Sequence, residues 1–257
     1  MTNTPKIALI TGATAGIGKA SAWVFAQQGW SLILTARRQQ LLEQIAQEIA
    51  QTCGVQTLPL CFDVRSRTET ENALQNLPEQ WQNIDLLLNN AGLAQGLNDF
   101  QEGNFDDWEA MIDTNIKGFL YVARLIAPLM AARNTGHIIN VGSVAGKEAY
   151  AKGHVYCATK FAVDALTKAM RIDLLKHKVK VSSVSPGAVE TDFSIVRYKG
   201  DTERAAQVYK GYTPLTAEDI ADAVWYIASR PPHVVIQDVV LTPLAQASAT
   251  YWAKDND

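Results

Sequence analysis

Tyr156 and Lys160 are the side chains of this sequence best suited to proton transfer. They stand four residues apart in a segment with helical patterning, and this spacing places both side chains on one face of a helix. A phenol can protonate a carbonyl oxygen or accept the proton of an alcohol, and a nearby ammonium group stabilises its ionised form. Because a free phenol titrates at about 10, catalysis near neutral pH predicts that the site lowers the pKa of Tyr156.

Ser143 is expected to lie beside this pair, at the edge of a sheet. It follows the strand-like segment His137–Val141, and the helix that carries Tyr156 begins shortly after it. Open α/β sheets bind their ligands at the carboxyl ends of the strands. The Ser143 hydroxyl is therefore predicted to hydrogen-bond the same substrate oxygen that Tyr156 protonates. A serine that merely ends a strand is the alternative.

A glycine-rich turn near the N-terminus predicts a dinucleotide site. It lies between the strand-like run Lys6–Thr11 and a helical segment, where glycine lets the backbone turn sharply and approach a pyrophosphate. A tight turn without a ligand is the alternative. The residues expected to contact the dinucleotide are Gly12, Ala13, Thr14, Ala15, Gly16, Ile17 and Gly18.

Arg37 and Arg38 indicate which dinucleotide this turn would hold. About 20 residues after such a turn, NAD sites carry an acidic residue that hydrogen-bonds the ribose 2′-hydroxyl. This chain has two arginines there instead, and a guanidinium group can donate charge-assisted hydrogen bonds to a 2′-phosphate. NADP(H) is therefore the predicted cofactor, and a solvated basic pair at the start of a helix is the alternative.

The elements that must position these residues alternate between strand and helix. Strand-like runs lie at Lys6–Thr11, Ser31–Thr35, Val55–Phe62, Ile84–Leu88, His137–Val141, Lys180–Val184 and Val234–Leu241. Helical patterning lies between them, with long helices near Phe105–Arg133 and Val155–Lys178 and a last helix at Ala217–Ser229. This alternation predicts an α/β, doubly wound Rossmann fold with about seven parallel strands and helices on both faces.

Length and composition favour a single domain over residues 1–257, with a substrate flap at about 188–215. With 47% hydrophobic residues and a formal net charge of -3, the chain lacks the basic character of nucleic-acid binders. The N-terminus has no signal-peptide pattern and no apolar run is long enough to span a membrane, which predicts a cytoplasmic protein without membrane contact. The cysteines and histidines are too scattered for a metal site.

The order and spacing of these motifs resemble the short-chain dehydrogenase/reductase family over nearly the whole chain. The matching residues are TGATAGIG at Thr11–Gly18, Asp63, NNAG at Asn89–Gly92, Asn115, Ser143, Tyr156, Lys160, Pro186, Gly187 and Thr191. The resemblance implies an NADP(H)-dependent oxidoreductase that acts on a CH–OH group. Ser143, Tyr156, Lys160 and Asn115 would be its catalytic residues, and Asn115 would hold a water that links Lys160 to solvent.

The resemblance also implies a set of cofactor contacts, with the adenine at one end and the nicotinamide carboxamide at the other. These contacts would come from Asp63, Val64, Asn89, Asn90, Gly92, Tyr156, Lys160, Pro186, Gly187, Val189 and Thr191.

A narrower resemblance concerns the substrate. The segments Asn89–Gly96, Trp108–Lys117 and Phe193–Asp201 are similar to those of NADP-dependent 3-hydroxy acid dehydrogenases, which oxidise L-serine, L-allo-threonine and related β-hydroxy acids. This resemblance implies a small substrate with a carboxylate, bound by Ser143, Tyr156 and a cation. Arg197 is the preferred cation, because its planar fork can hold a carboxylate with two hydrogen bonds. Lys199 is the other candidate cation of the flap, and Lys147 and Gln95 could also reach the pocket. Solvated loop charges are the alternative.

Two other functions fit the same residues. A carbonyl or 3-oxoacyl reductase of the same family, acting on a bulkier ketone, would share the fold and the catalytic residues. A non-catalytic NADP(H)-sensing protein would keep the glycine-rich turn and Arg37 and would have no need of Tyr156 and Lys160. The resemblance further implies a homotetramer in which the two long helices pack against copies of themselves.

Overall fold

Seven parallel strands form one sheet in the computed structural model, which describes residues 5–255. The strands are β1 (Ile7–Thr11), β2 (Ser31–Ala36), β3 (Thr57–Cys61), β4 (Ile84–Asn89), β5 (His137–Val141), β6 (Lys180–Pro186) and β7 (Asp238–Leu241). Their order across the sheet is β3-β2-β1-β4-β5-β6-β7. The sheet therefore extends outward from β1 in one direction and from β4 in the other, and the crevice between β1 and β4 is where such folds bind ligands.

Helices cover both faces of the sheet. They are α1 (Gly16–Gln27), α2 (Gln39–Cys53), α3 (Arg67–Gln75), α4 (Phe105–Ile112), α5 (Phe119–Arg133), α6 (His154–Leu174), α7 (Asp192–Arg197), α8 (Thr202–Gln207) and α9 (Ala217–Ala228). Apolar side chains of α1, α2 and α9 pack on one face of the strands, and those of α3, α5 and α6 pack on the other. Successive residues of β1 alternate between these two cores, as Ile10 faces the first and Leu9 the second. The predicted doubly wound fold is confirmed.

The long helix predicted over Phe105–Arg133 contains a π-helical turn. Asp113–Gly118 forms this turn between α4 and α5. A Cβ atom on Gly118 would lie 2.8 Å from a methyl group of Val64, so glycine allows the turn to pack closely against that residue. Turns of this kind inside α-helices often occur at functional sites, and this one carries Asn115.

Other elements also depart from their predictions, β7, α6 and α3 most clearly. β7 begins at Asp238 rather than Val234, because its pairing with β6 starts there. The second long helix, α6, ends at Leu174 and is followed by a short 3-10 turn, Leu175–His177. α3 was not predicted from the hydrophobic pattern, and it begins after Ser66, whose hydroxyl accepts a hydrogen bond from the first turn of the helix.

Residues 188–215, where the flap was predicted, contain α7 and α8. The N–H of Gly96 donates to the carbonyl of Arg197 at 3.1 Å, and the N–H of Asp255 donates to the carbonyl of Gly211 at 2.8 Å. The segment is therefore held both by the loop after β4 and by the last described residues. Residues 1–4 and 256–257 of the predicted domain lie outside the described residues. None of the helices between residues 5 and 255 has the length and apolar character needed to cross a membrane.

Candidate active site

The glycine-rich turn connects β1 to α1 and brings the backbone close to the crevice. Gly12 has a φ of +69°, a conformation that residues with a Cβ rarely adopt. A Cβ on Gly18 would lie 2.3 Å from the Gly12 carbonyl oxygen, so the helix can begin this close to the turn only with glycine there. Oγ1 of Thr11 accepts hydrogen bonds of 2.9 Å from the N–H groups of Asn90 and Ala91, which fasten the turn to the end of β4.

A cavity of about 800 Å³ lies along the carboxyl ends of the strands. Among the predicted site residues, its walls contain Gly12, Thr14, Ala15, Gly16, Ile17, Arg37, Arg38, Asn90, Gly92, Ser143, Tyr156, Lys160, Pro186, Gly187, Val189, Thr191 and Arg197. This volume is within the range of about 300–1,000 Å³ that is usual for small-molecule sites. Most of the residues predicted for the dinucleotide therefore share one continuous space with those predicted for the substrate.

Arg37 and Arg38 line the basic end of this cavity. Nη2 of Arg38 donates to Oγ1 of Thr14 at 3.0 Å, which holds the guanidinium group against the glycine-rich turn. Nη1 of Arg37 lies 3.6 Å from Oδ2 of Asp63, and the Arg37 side chain is 56% exposed. Asp63 also accepts hydrogen bonds of 2.6 and 2.9 Å from Arg65, so Arg37 is only loosely paired. Two guanidinium groups beside the turn fit a phosphate on the adenosine ribose.

Tyr156 and Lys160 lie on one face of α6, and Ser143 follows β5. Nζ of Lys160 lies 5.9 Å from the centre of the Tyr156 ring and donates to the Val141 carbonyl at 3.0 Å. Oγ of Ser143 lies 3.4 Å from the carbonyl oxygen of Pro186 and faces the same cavity. The three side chains are thus gathered at the carboxyl edge of β5 and β6, where a hydroxyl or carbonyl group of a ligand could reach them.

Burial dominates the ionisation of the two α6 side chains. It raises the pKa of Tyr156 above the usual phenol value, and the phenol of Tyr150 raises it further, while the Ser143 hydroxyl and the Arg197 guanidinium act in the opposite direction. Burial also lowers the pKa of Lys160 to about 8. The protein groups alone therefore raise the pKa of Tyr156, because desolvation penalises the phenolate. The lowering expected from the sequence relies on the positive charge of the oxidised nicotinamide as well as on Lys160.

Asn115 connects the loop after β4 to α6. Its amide accepts a hydrogen bond of 2.9 Å from the N–H of Leu93 and donates to the Leu93 carbonyl at 2.8 Å and to Oγ1 of Thr159 at 3.0 Å. A Cβ on Gly92 would lie 3.3 Å from Oδ1 of Asn115 and 3.7 Å from Nζ of Lys160. Asn115 therefore lies near Lys160 and supports the part of α6 that carries this lysine.

Some predicted site residues lie outside the walls of the cavity. They are Ala13, Gly18, Asp63, Val64, Asn89 and Asn115. Asn89 is buried and its amide donates to the Phe119 carbonyl at 3.0 Å, so its side chain joins β4 to α5 rather than facing the cavity. Lys199, the second candidate cation of the flap, is paired with Asp107 at 2.8 Å.

Arg197 lines the cavity from the end of α7. Its Nη2 donates to the Tyr150 hydroxyl at 3.0 Å, and its guanidinium carbon lies 5.7 Å from the centre of the Tyr156 ring. Its Nε is buried and has no hydrogen-bond partner among the described residues. Within residues 5–255 its only recorded side-chain hydrogen bond is thus to a neutral phenol, and its positive charge faces the space beside Tyr156.

Sequence reasoning missed about half of the residues of the cavity wall, and among them are three with large polar or aromatic side chains: Tyr150, Gln246 and Trp252. Oε1 of Gln246 accepts a hydrogen bond of 2.9 Å from the N–H of Ala188, in the segment that follows β6. None of the three belongs to a recognisable motif. The only signal was the position of Tyr150 in the short loop between Ser143 and the Tyr156 helix, which must lie close to both.

A glycine-rich turn at the switch point of a doubly wound sheet, together with a serine and a Tyr–Lys pair on the same cavity, defines an oxidoreductase of the nicotinamide-dependent class. The family comparison is specific: the model of the short chain dehydrogenase family matches residues 6–201. The chain belongs to the short-chain dehydrogenase family, and the resemblance predicted from its motifs is confirmed.

Several named proteins and solved structures are similar to this chain. The chain is 46% identical over 244 residues to the NADP-dependent 3-hydroxy acid dehydrogenase YdfG of Salmonella typhi, covering 95% of this chain and 97% of that protein. It is 41% identical over 247 residues to the NADP-dependent 3-hydroxy acid dehydrogenase of Schizosaccharomyces pombe, covering 96% of this chain and 95% of that protein. The closed form of serine dehydrogenase complexed with NADP+ matches with a TM-score of 0.90 at 43% identity, covering 97% of this chain and 100% of that one.

Proposed function

We propose that this protein is an NADP(H)-dependent dehydrogenase that interconverts a small 3-hydroxy acid, such as serine or allo-threonine, and the corresponding 3-oxo acid. One observation carries the proposal: Ser143, Tyr156 and Arg197 share one cavity, so groups suited to hydroxyl chemistry lie beside a cation that has no carboxylate partner among the described residues. The relatives that are named for 3-hydroxy acids and for serine support this substrate class.

The protein groups divide the chemistry between them. In the reduction direction, the Tyr156 hydroxyl donates its proton to the substrate carbonyl oxygen as that oxygen gains negative charge, and the Ser143 hydroxyl donates a second hydrogen bond to it. In the oxidation direction, Tyr156 accepts the proton of the substrate hydroxyl instead. Bound NADP(H) supplies or accepts the hydride. Lys160, whose ammonium group donates to the Val141 carbonyl, would stabilise the phenolate and would hold the nicotinamide ribose of the bound cofactor.

The basic end of the cavity accounts for the choice of NADP(H). Arg37 and Arg38 would hold the 2′-phosphate, and the N–H groups at the start of α1 would receive the pyrophosphate. The relatives named above are NADP-dependent, in agreement with the arginine pair. At the other end of the cofactor, the backbone from Pro186 to Thr191 would hold the carboxamide, since these residues line the cavity next to Ser143.

Arg197 is the group proposed to bind the substrate carboxylate. A guanidinium group with a buried, unpartnered N–H is poorly satisfied, and a carboxylate would supply the missing acceptor and the missing negative charge. Lys199 is already neutralised by Asp107, so it is a weaker candidate. The substrate is thus a small molecule whose acid group and reacting hydroxyl are close together.

The wider organisation of the protein is also part of the proposal. We infer one domain with a flap at about 188–215 over the substrate, and a homotetramer formed through α5 and α6. Exposed apolar side chains on these helices, Leu120 and Phe161 among them, support the tetramer. A cytoplasmic location is supported by the three free cysteines, since reduced thiols are typical of that compartment.

The test is a panel of substrates, with turnover measured as the absorbance of the reduced nicotinamide cofactor. NADP⁺ or NAD⁺ is supplied with L-serine, L-allo-threonine, 3-hydroxypropanoate, 3-hydroxyisobutyrate or a neutral secondary alcohol. We expect reduction of NADP⁺ with the acids. Tyr156→Phe should lower kcat by at least about a thousandfold, because the proton acceptor is gone. Arg197→Ala should raise KM for the acids.

Turnover of the neutral alcohol alone would reject the 3-hydroxy acid substrate and favour a carbonyl reductase. Binding of NADPH without turnover of any compound would instead favour the NADP(H)-sensing protein. Retention of activity in Tyr156→Phe would reject the proposed proton transfer whatever the substrate is.

A further inference from the structure

Tyr150 occupies a fixed position between the Ser143 loop and α6. The 3-10 turn Val144–Gly146 ends four residues before it, and its carbonyl accepts a hydrogen bond of 3.1 Å from the N–H of Gly153. A Cβ on Gly153 would lie 2.3 Å from the Tyr150 ring, so the ring packs directly on this backbone. The conformation of the loop, rather than the flap, therefore determines where the phenol points.

The hydroxyl of Tyr150 lies beside Arg197 and faces the same cavity. Nη2 of Arg197 donates to this hydroxyl at 3.0 Å, and the guanidinium carbon lies 5.5 Å from the Tyr150 ring centre and 5.7 Å from that of Tyr156. The guanidinium group thus lies close to both rings. The Tyr150 oxygen accepts a hydrogen bond from Arg197, so its own O–H is free to donate to another acceptor.

We propose that Tyr150 is a further substrate-binding residue, whose O–H donates a hydrogen bond to the substrate carboxylate while its oxygen holds Arg197 in place. This inference rests on the proposed function. Burial raises the pKa of Tyr150, so the phenol stays protonated and remains a donor throughout the neutral range. An arginine and a tyrosine together offer a carboxylate two donors with different directions, and one of them is anchored outside the flap.

The relative positions of the donors fit a 3-hydroxy acid. In such a molecule a single carbon separates the carboxylate from the carbon that carries the reacting hydroxyl. The groups that recognise the two ends must therefore be neighbours. The guanidinium carbon of Arg197 lies 5.7 Å from the centre of the Tyr156 ring, and the Tyr150 hydroxyl is hydrogen-bonded to the same guanidinium group. A longer acid would have to bend to reach both.

The experiment compares an acid with its neutral amide. Tyr150→Phe removes the O–H and keeps the ring that packs on Gly153. With 3-hydroxypropanoate, its KM should rise about tenfold or more, as expected for a lost hydrogen bond to a charged group, while kcat changes little. With 3-hydroxypropanamide, KM should change less than about twofold, because no charge is recognised. Tyr226→Phe, which removes an exposed phenol on α9, is the matched control and should leave both substrates unaffected.

An equal effect of Tyr150→Phe on the acid and on the amide, or no effect on either, would overturn the proposal. Tyr150→His, which retains a ring and a donor, should recover part of the preference for the acid. It also provides a second test if Tyr150→Phe does not fold, because loss of that preference in a folded histidine variant would count against the proposal.

Failure of the proposed function can be told apart from failure of this inference. If the wild type oxidises no 3-hydroxy acid, the proposed function is wrong. Propanoate and propanamide are then tested as inhibitors of the turnover of whichever alcohol the enzyme oxidises. Their binding to the NADP⁺ complex can also be measured by calorimetry. A weakening of propanoate binding by about tenfold in Tyr150→Phe, without a change for propanamide, would support the carboxylate site alone. Identical binding in wild type and variant would reject it.

Discussion

In the proposed reaction, the phenol of Tyr156 must meet opposite demands in the two directions. Reduction requires the neutral phenol as a proton donor, and oxidation requires the phenolate as a proton acceptor. Burial raises the pKa of Tyr156, which keeps the phenol neutral near pH 7 in the absence of other charges. Burial lowers the pKa of Lys160 to about 8. Below that pH its ammonium group is positively charged and favours the phenolate, and above it this effect is lost. The residue environment thus favours the donor form.

The two directions should therefore respond differently to pH. Phenolate is the minor form and its fraction grows tenfold per pH unit, so kcat/KM for oxidation of 3-hydroxypropanoate should rise steeply between about pH 6 and pH 8. Reduction of 3-oxopropanoate should stay level or fall over this range, because the phenol of Tyr156 is already protonated. Initial rates at constant ionic strength measure both profiles. An oxidation rate independent of pH over this range would contradict the assignment of Tyr156 as the base.

Single residues differ in how far the sequence alone predicts them. Tyr156 and Lys160 could be placed together because the spacing within one helix fixes their relation locally. The contact between Tyr150 and Arg197 spans 47 residues and depends on how the flap folds back over the Ser143 loop, so no local pattern reveals it. The effect of burial on the pKa of Tyr156 was missed for the same reason, since it arises from packing.

Among the structural elements, the segment after β6 takes its conformation from the C-terminal part of the chain. Gln246 is only 4% exposed, and its Oε1 accepts a hydrogen bond of 2.9 Å from the N–H of Ala188. A Cβ on Gly187 would lie 2.2 Å from the same oxygen, so the amide packs directly on the backbone proposed to hold the nicotinamide carboxamide. Gln246 is therefore a positioning residue for this segment.

Replacement of Gln246 by alanine should weaken NADPH binding about tenfold, because the N–H of Ala188 loses its acceptor and the backbone of Gly187 loses its support. Fluorescence titration with NADPH measures the Kd. Gln246→Met keeps most of the side-chain volume without the acceptor, so it separates the hydrogen bond from the packing. An unchanged Kd in both variants would show that the segment holds its conformation without Gln246.

The order of the elements could be predicted, and their irregularities could not. Alternating strand and helix patterns are local, so β1 to β6 and α6 were found at nearly their observed positions. The π-helical turn Asp113–Gly118 was not predicted, because it is associated with contacts to distant elements and not with a local sequence pattern. Asn115 in this turn hydrogen-bonds Leu93 and Thr159, and Gly118 packs against Val64. An irregularity tied to distant partners leaves no periodic signal.

At the scale of the whole molecule, α5 and α6 carry an apolar surface that is exposed to solvent in the single chain. Ile172 on α6 is 75% exposed and Phe161 is 43% exposed, and Leu120 on α5 is 38% exposed. Ala165 and Ala169 are exposed on α6 as well, and small side chains allow two helices to approach closely. Apolar side chains of this size and small residues on neighbouring turns are suited to helix packing between copies. This surface supports the proposed homotetramer.

We expect the chain to sediment in the ultracentrifuge near four times 28.1 kDa. Ala169→Glu should give a smaller species, because an unpaired carboxylate would be buried between helices. Gln47→Glu makes the same change of charge on the exposed side of α2 and should leave the mass unchanged. A wild-type mass near 28.1 kDa, or an intact tetramer in Ala169→Glu, would reject the interface. Since α6 also carries Tyr156 and Lys160, the smaller species should lose turnover even where its helices remain folded.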